Sequence, residues 1–149
     1  MPGVRAYLIS PGLDTQPVAG LEELTNFLKE EARPTDVARL EFDPEVPGNI
    51  ELEYGEDKGM YERMYYSGFL FTDGTKELAR EDEGGTWKTK VYTIKNATWA
   101  VVVDATTHEY WSGDGWKEFG IVVYGSREVF KKVRNVLEEA GVYYTIESE

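Results

Sequence analysis

The apolar and polar positions of the first third predict a β-α-β-β order. A short apolar run at 4–9 ends in Ser10-Pro11-Gly12 and is typical of a strand. Apolar residues then recur at helical spacing, which predicts a helix that stops before Pro34. They are Leu21, Leu24, Phe27 and Leu28. Residues 37–42 and 50–54 alternate between apolar and polar, so they predict two strands joined by a loop at 43–49.

The middle of the chain, residues 60–124, is rich in aromatic residues and turns and contains no helical spacing. We expect strands at roughly 62–72, 76–81, 86–95, 98–104, 107–112 and 116–124. Asp73-Gly74 is a strong signal for a two-residue hairpin turn, because such turns need residues that tolerate positive φ.

The last thirty residues predict a β-α-β unit. A strand at 120–124 is followed by Ser126, which can cap a helix, and Gly141 stands where a left-handed C-terminal cap belongs. Residues 142–146 then return as a strand. Such a unit pairs its strands in parallel, and we expect one further strand between them.

Together these elements predict one α+β domain over 1–149. The first choice of architecture is a ferredoxin-like split β-α-β plan with an inserted antiparallel β-meander and two helices. The alternative is a strongly curved antiparallel sheet wrapped around the C-terminal helix.

The apolar register also predicts how the early strands meet. If Leu40 and Phe42 share the core face with residues 52 and 54, the two strands form a hairpin that sets 42 opposite 52. The same register places Asp43 opposite Glu51 and Glu41 opposite Glu53 on the outer face. Like charges that are directly opposed destabilise a sheet. Such a pairing is tolerated if Arg39 and nearby bases neutralise it, if water screens it, or if a cation or a basic partner binds.

Composition narrows the function further. The chain carries 28 Asp and Glu against 16 Lys and Arg, a net charge of -12, with no Cys and one His. These numbers exclude disulfides, thiol catalysis and zinc-finger sites, and they argue against binding to nucleic acid or an anionic membrane. Abundant Glu with few Asn, Gln and Cys favours a thermophilic prokaryote, archaea included, with a viral or plasmid origin as one option. No apolar run is long enough to cross a membrane and no signal peptide is recognisable, so we expect a cytoplasmic protein.

The acidic excess is concentrated at 41–57, which holds seven carboxylates and no Lys or Arg. We predict that Glu41, Asp43, Glu51 and Glu53 dock a basic partner. A site for a hard divalent cation ranks below docking because no calcium-loop motif is present. An ordinary solvated sheet face is the default interpretation against which both stand.

Two weaker sites come from other patterns. Ser126, Arg127 and Lys131 surround a helix N-terminus, where an anion can bind, although Ser126 is better explained as a simple helix cap. Asp104 and His108 form a carboxylate–imidazole pair that could act as a general base. A lone His in a hairpin is more often a packing residue.

The aromatic residues of the meander leave two options. Neighbouring aromatics such as Tyr65-Tyr66 and Tyr110-Trp111 point to opposite faces of a strand. Either the meander is buried on both sides, or one aromatic face is left for a partner, a sugar-like ligand or a second copy of the chain.

Three functional hypotheses follow. The leading one is a non-enzymatic protein-interaction module that docks a basic partner or self-associates, with a homodimer as one form. The second is an enzyme or binding domain for a small molecule or divalent metal, using the carboxylate cluster or the Asp104–His108 pair. The third is an acidic DNA mimic that inhibits a nucleic-acid-binding protein. No motif for a cofactor is present.

Overall fold

The computed structural model describes the backbone of residues 5–8 and 16–149 and the side chains from residue 21 onward. Its elements in chain order are β1 (Arg5–Leu8), β2 (Gln16–Ala19), α1 (Gly20–Glu31), β3 (Val37–Asp43), β4 (Asn49–Lys58), β5 (Glu62–Thr72), β6 (Thr75–Gly84), β7 (Trp87–Lys95), β8 (Ala100–Tyr110), β9 (Gly115–Tyr124), α2 (Arg127–Glu139) and β10 (Tyr143–Ser148). Eight strands form one continuous path in the order β10-β3-β9-β8-β5-β4-β7-β6. β1 pairs with the edge of β5, and β2 pairs with β1.

The central strands β5 and β8 have two buried faces, and alternate residues belong to each. Odd-numbered residues such as Phe71 and Val101 pack into the larger core, which includes both helices. Even-numbered residues such as Leu70 and Val102 pack into a second core on the opposite side. Because side chains of a strand alternate between faces, one sheet separates the two cores.

The larger core lies between the sheet and the two helices. The ring of Phe27 in α1 lies 4.5 Å from that of Phe69 in β5, and Phe130 in α2 meets Phe42 of β3 edge-on at 5.8 Å. Leu28 and Leu137, one from each helix, are fully buried. We call this side of the sheet the helix face.

The opposite side is covered by strands. The first half of β4, with β7 and β6, forms a three-stranded layer that we call the ribbon. Ile50 and Leu52 of the ribbon pack on Leu70 and Val102 of the central sheet. We call this side of the sheet the ribbon face. The side chains of Arg39 and Glu41 on β3 also point to the ribbon face and remain exposed, so the ribbon does not cover all of it.

The predicted ferredoxin-like plan is wrong. β3 pairs in parallel with β9 on one edge and with β10 on the other, so neither edge is available to β4. The chain instead crosses after residue 43 to the other side of the sheet, where β4 pairs with β5 and β7. The curved-sheet alternative fits in part: α2 packs on one face of a mixed sheet, but α1 shares that face.

The prediction for the end of the chain is confirmed. β9 and β10 are parallel with β3 between them. The hydroxyl oxygen of Ser126 accepts a hydrogen bond from the amide of Val129 at 3.2 Å, which caps α2. Gly141 has a φ of 73°, the left-handed conformation that terminates a helix.

Other local predictions changed. The strands expected at 98–104 and 107–112 are one continuous β8. Asp73-Gly74 joins two strands that do not pair with each other, because β6 pairs with β7. The carboxylate of Asp73 accepts from the amides of Thr98 and Trp99, and so connects two loops. β1 lies within the strand expected at 4–9, whose end residues fall outside the described residues, and β2 was not predicted.

Candidate functional site

The most distinctive concave feature is formed where β4 leaves the sheet. Residues 55–58 of β4 pair with β5, whereas residues 49–55 pair with β7. A Cβ on Gly55 would lie 2.7 Å from the carbonyl oxygen of Thr86, and one on Gly68 of β5 would lie 3.0 Å from the Cβ of Leu52. Both positions therefore require glycine for the strands to cross this closely.

A cleft of about 690 Å³ lies beside this crossing. Its described lining contains five carboxylates and no Lys or Arg: Glu51, Glu53, Glu56, Asp57 and Asp104. Apart from Ala105, the remaining described walls are polar or aromatic: Tyr54, Tyr66, Ser67, Thr86, Trp87 and Thr106. The cleft combines concentrated negative charge with exposed ring surface, since Trp87 is 54% exposed.

The carboxylates of this acidic cleft differ in their partners. Glu56 lies 3.6 Å from the ammonium of Lys58, and Asp57 accepts a 3.0 Å hydrogen bond from the Tyr66 hydroxyl. Within the described residues, Glu51, Glu53 and Asp104 form no ion pair. Their charges are consequently available to a ligand.

Asp104 is the most perturbed of the acids. Burial, and then the negative charge of Glu53, raise the pKa of the Asp104 carboxyl to about 6. The side chain is solvent-accessible but lies in a concavity beside Gly68 and Gly120, its partners on the neighbouring strands. A carboxylate that lies in a concavity next to another carboxylate is stabilised by any cation that enters the cleft.

The predicted pairing of Glu41 with Glu53 and of Asp43 with Glu51 is wrong. Glu41 lies opposite Val122 of β9, and Glu53 lies opposite Thr89 of β7. The reason is the one that overturned the hairpin: both edges of β3 are occupied by parallel strands.

Three of the four predicted docking residues, Glu41, Asp43 and Glu53, are nevertheless connected electrostatically through the ribbon face. Burial and the charges of Asp43, Glu41 and Asp104 raise the pKa of Tyr124, which lies on β9 directly beside Asp43. Asp104 in turn is affected by Glu53. Carboxylates of β3, β8 and β4 thus act on one region of the surface, although no hairpin joins them.

The Asp104–His108 pair is not formed. Both residues lie on β8, but the imidazole binds other acids: its Nδ1 contacts the Glu62 carboxylate, and its Nε2 lies 2.9 Å from Glu118. The ring stacks on Trp116 at 4.3 Å. Burial lowers the pKa of His108, but the hydrogen bonds to Glu118 and Glu62 outweigh it and leave the pKa raised. Because both nitrogens are engaged, this arrangement favours a charged bridge between β5, β8 and β9 over a general base.

The predicted anion site shows helix-capping geometry. The Ser126 hydroxyl is used by the cap, and the Arg127 guanidinium lies over the Phe42 ring at 4.5 Å. Lys131 is exposed on α2. Glu128 and Lys132 of the same helix form an i,i+4 pair at 4.0 Å.

For metals, no group of three or more His, Cys, Asp or Glu in the described part of the chain is arranged to hold an ion. The cleft carboxylates line its walls without converging on one point. This geometry suits an extended or multiply charged organic cation better than a single ion.

The aromatic meander divides between the two predicted options. Phe69, Phe71 and Phe119 are buried on the helix face and Tyr92 on the ribbon face. A second set is exposed at strand ends and turns: Tyr61, Trp87, Tyr110 and Trp111. Only Trp87 of this second set lines the acidic cleft.

Sequence reasoning missed the contribution of Tyr66 and Trp87 to this site. One signal was available, because Gly55 and Gly68 each interrupt an otherwise regular strand pattern. A glycine inside a strand marks a bulge or a close approach of another backbone.

Comparison of the chain with protein families, curated proteins and solved structures finds no match. Among the described residues, no helix has the length and apolar character needed to cross a membrane.

Proposed function

We propose that this chain is a protein-interaction module whose acidic cleft binds a basic segment of a partner protein. One observation carries the proposal: five carboxylates line the cleft without a Lys or Arg among its described walls, and three of them have neither an ion pair nor a side-chain hydrogen bond within the described residues. A molecule that exposes this much unneutralised charge in a concavity gains free energy when a cation enters.

The walls also favour organic cations over inorganic ones. Ammonium and guanidinium groups bind ring faces as well as carboxylates, and an exposed cation–π contact contributes about 0.5–1 kcal/mol. Trp87 and Tyr66 offer such faces beside the acids. A Lys- or Arg-containing segment can use both kinds of wall at once.

The test is calorimetric titration with a peptide of alternating Lys and Val. We expect binding that weakens as salt is raised, because the contacts are between exposed charges. The double variant Glu53→Gln, Asp104→Asn should lower the affinity at least ~10-fold, equivalent to about 1.4 kcal/mol.

The matched control removes the same charge elsewhere. Glu30 in α1 and Asp114 in the β8–β9 turn are exposed and lie outside the cleft. The variant Glu30→Gln, Asp114→Asn should change the affinity less than about twofold. If the control lowers affinity as much as the cleft variant, net charge attracts the peptide and the cleft is not its site.

A further inference from the structure

The first half of β4 has an edge that no described strand occupies. β4 and β7 pair antiparallel, so successive residues direct their backbone groups alternately toward β7 and away from it. The amide of Ile94 donates to the Gly48 carbonyl at 2.8 Å, and the amide of Glu56 donates to the Thr86 carbonyl at 3.1 Å. Even-numbered residues of β4 therefore face β7.

Odd-numbered residues face the other edge. Pairing with β5 along that edge begins only at Gly55. The backbone of Glu53 is covered by β5, because a Cβ on Gly68 would lie 3.2 Å from the Glu53 carbonyl oxygen. The amides and carbonyls of Asn49 and Glu51 remain, and no strand of the described chain pairs with them.

This edge is unlike those of β6 and β10, the strands at the two ends of the eight-strand path. β6 and β10 each carry a register shift, at Leu78/Arg80 and at Ile146/Ser148. Such bulges discourage pairing with another chain. Residues 49–55 pair with β7 in an unbroken register and carry two Glu and no Lys, so the open edge keeps the regular geometry that strand addition needs.

The charge around the edge selects its occupant. An antiparallel second copy would place Glu51 near glutamates of its partner, which is unfavourable. The open ribbon face carries three acids, Glu41, Asp43 and Asp104, against one exposed base on β3, Arg39. Alternate side chains of an added strand would point toward this net negative face. A strand rich in Lys or Arg is complementary on both counts.

We infer that the basic segment binds as an added β-strand, with main-chain hydrogen bonds to Asn49 and Glu51 and its basic side chains directed at the carboxylates of the cleft and ribbon face. This inference rests on the proposed function and specifies its mode: backbone bonds fix the direction and position of the segment, and charged side chains select its sequence.

Residue-resolved hydrogen exchange, measured with the alternating Lys-Val peptide at saturation, tests the backbone bonds. The amides of Asn49 and Glu51 should exchange at least ~10-fold more slowly when the peptide is bound. The amides of Ile50 and Leu52, directed toward β7, serve as internal controls and should change little. Unchanged exchange at Asn49 and Glu51 in the peptide complex would overturn strand addition.

Two backbone-methylated peptides give an independent test that leaves the protein intact. Methyl groups on the amides of one alternating set of residues block the edge that meets β4, whereas methyl groups on the other set point to solvent. We expect one peptide to lose at least ~10-fold in affinity and the other less than about twofold. Equal affinities of the two methylated peptides would contradict strand addition.

The outcomes separate the two claims. If the unmethylated peptide fails to bind, the proposed function itself is wrong. If it binds and responds to the Glu53→Gln, Asp104→Asn variant, but both methylated forms bind equally, then the cleft recognises charge alone and the function stands without the strand.

Discussion

The helix face and the ribbon face of the sheet are built from the same strands but differ in how much of each is covered by other elements. On the helix face, odd-numbered residues of β8 such as Val101 and Val103 are fully buried under α1 and α2. On the ribbon face, Val102 is buried, but Asp104, two residues further along, is exposed at the acidic cleft. Thus one strand serves a closed core on one side and an open binding surface on the other.

Particular acids on the two sides also differ in their partners. At the helix layer, Lys29 lies 3.0 Å from Glu139, and Lys117 lies 2.7 Å from Glu31. At the cleft on the ribbon face, Glu53 and Asp104 have no basic partner among the described residues. These two carboxylates therefore stay unneutralised in a concavity that a ligand can enter.

Two Leu-to-Ala substitutions, one in each core, test whether the two cores differ in rigidity. Leu137 on the helix face and Leu52 on the ribbon face are both fully buried. Leu137→Ala should lower the free energy of unfolding by about 4 kcal/mol, because both helices and the sheet surround the cavity. Leu52→Ala should cost about 2–3 kcal/mol, since the layer beside the open cleft can collapse onto the smaller side chain. Urea denaturation measures both.

The control for this comparison is Leu78→Ala in the ribbon strand β6. Leu78 is 50% exposed, so the same chemical change should cost no more than about 0.5–1 kcal/mol. Equal losses of unfolding free energy for Leu137→Ala and Leu52→Ala would show that the ribbon is as rigidly packed as the helix layer. The expected difference in rigidity between the two cores would then be wrong.

The next effect concerns His108, which bridges strands on the open side. Its raised pKa in the folded state means that the bridge stabilises fully below the unfolded value of about 6.5 and is lost as pH rises through the folded pKa. His108→Gln should therefore cost about 1–3 kcal/mol near pH 6, the range for hydrogen bonds to charged groups, and much less near pH 9. Thermal unfolding at both pH values checks this.

The pH dependence distinguishes a charged bridge from simple packing. Stacking of the ring on Trp116 is present at every pH. A loss of stability that is the same near pH 6 and near pH 9 would assign His108 to packing, and the two bonded carboxylates would then contribute nothing measurable.

Much of the local structure was predictable because its signals are local. Ser126 and Gly141 set the ends of α2 through capping groups that lie within a few residues, and the parallel direction of β9 and β10 follows from the crossover through α2. The partners of β3 were not predictable in this way. The alternation of apolar and polar residues shows which face of a strand is buried, but it does not show which strands pair with it. Nothing in the sequence of β3 therefore indicates that β9 and β10 occupy both of its edges.

The site was predictable in composition but not in geometry. The acidic run at 41–57 identified Glu51 and Glu53, and the structure places both in the cleft. Asp104 was chosen for its spacing from His108, whereas its environment depends on Gly68 and Gly120 in neighbouring strands and on Glu53 across the crossing. These contacts join residues on different strands that are far apart in the sequence, so no local sequence pattern predicts them.

The variant Asp104→Asn tests whether an ionised carboxylate in the cleft lowers the stability of the folded chain. The folded pKa of Asp104, about 6, exceeds its ordinary value of 3.8, so stability is fully present below the ordinary value and is lost as pH rises through about 6. Asp104→Asn removes that loss. Because the side chain is solvent-accessible and its charge is screened, we expect a gain of no more than ~1 kcal/mol near pH 8 and no gain near pH 3.

Asp114→Asn in the exposed β8–β9 turn makes the same chemical change and should leave the unfolding free energy within about 0.5 kcal/mol of the original at both pH values. If Asp104→Asn instead lowers stability near pH 8, the carboxylate is held by favourable contacts and serves the fold. The opposite outcome is a gain in stability together with weaker binding of the basic peptide. In that case the same ionised Asp104 lowers the stability of the folded chain and strengthens binding, which means that it is retained for its ligand.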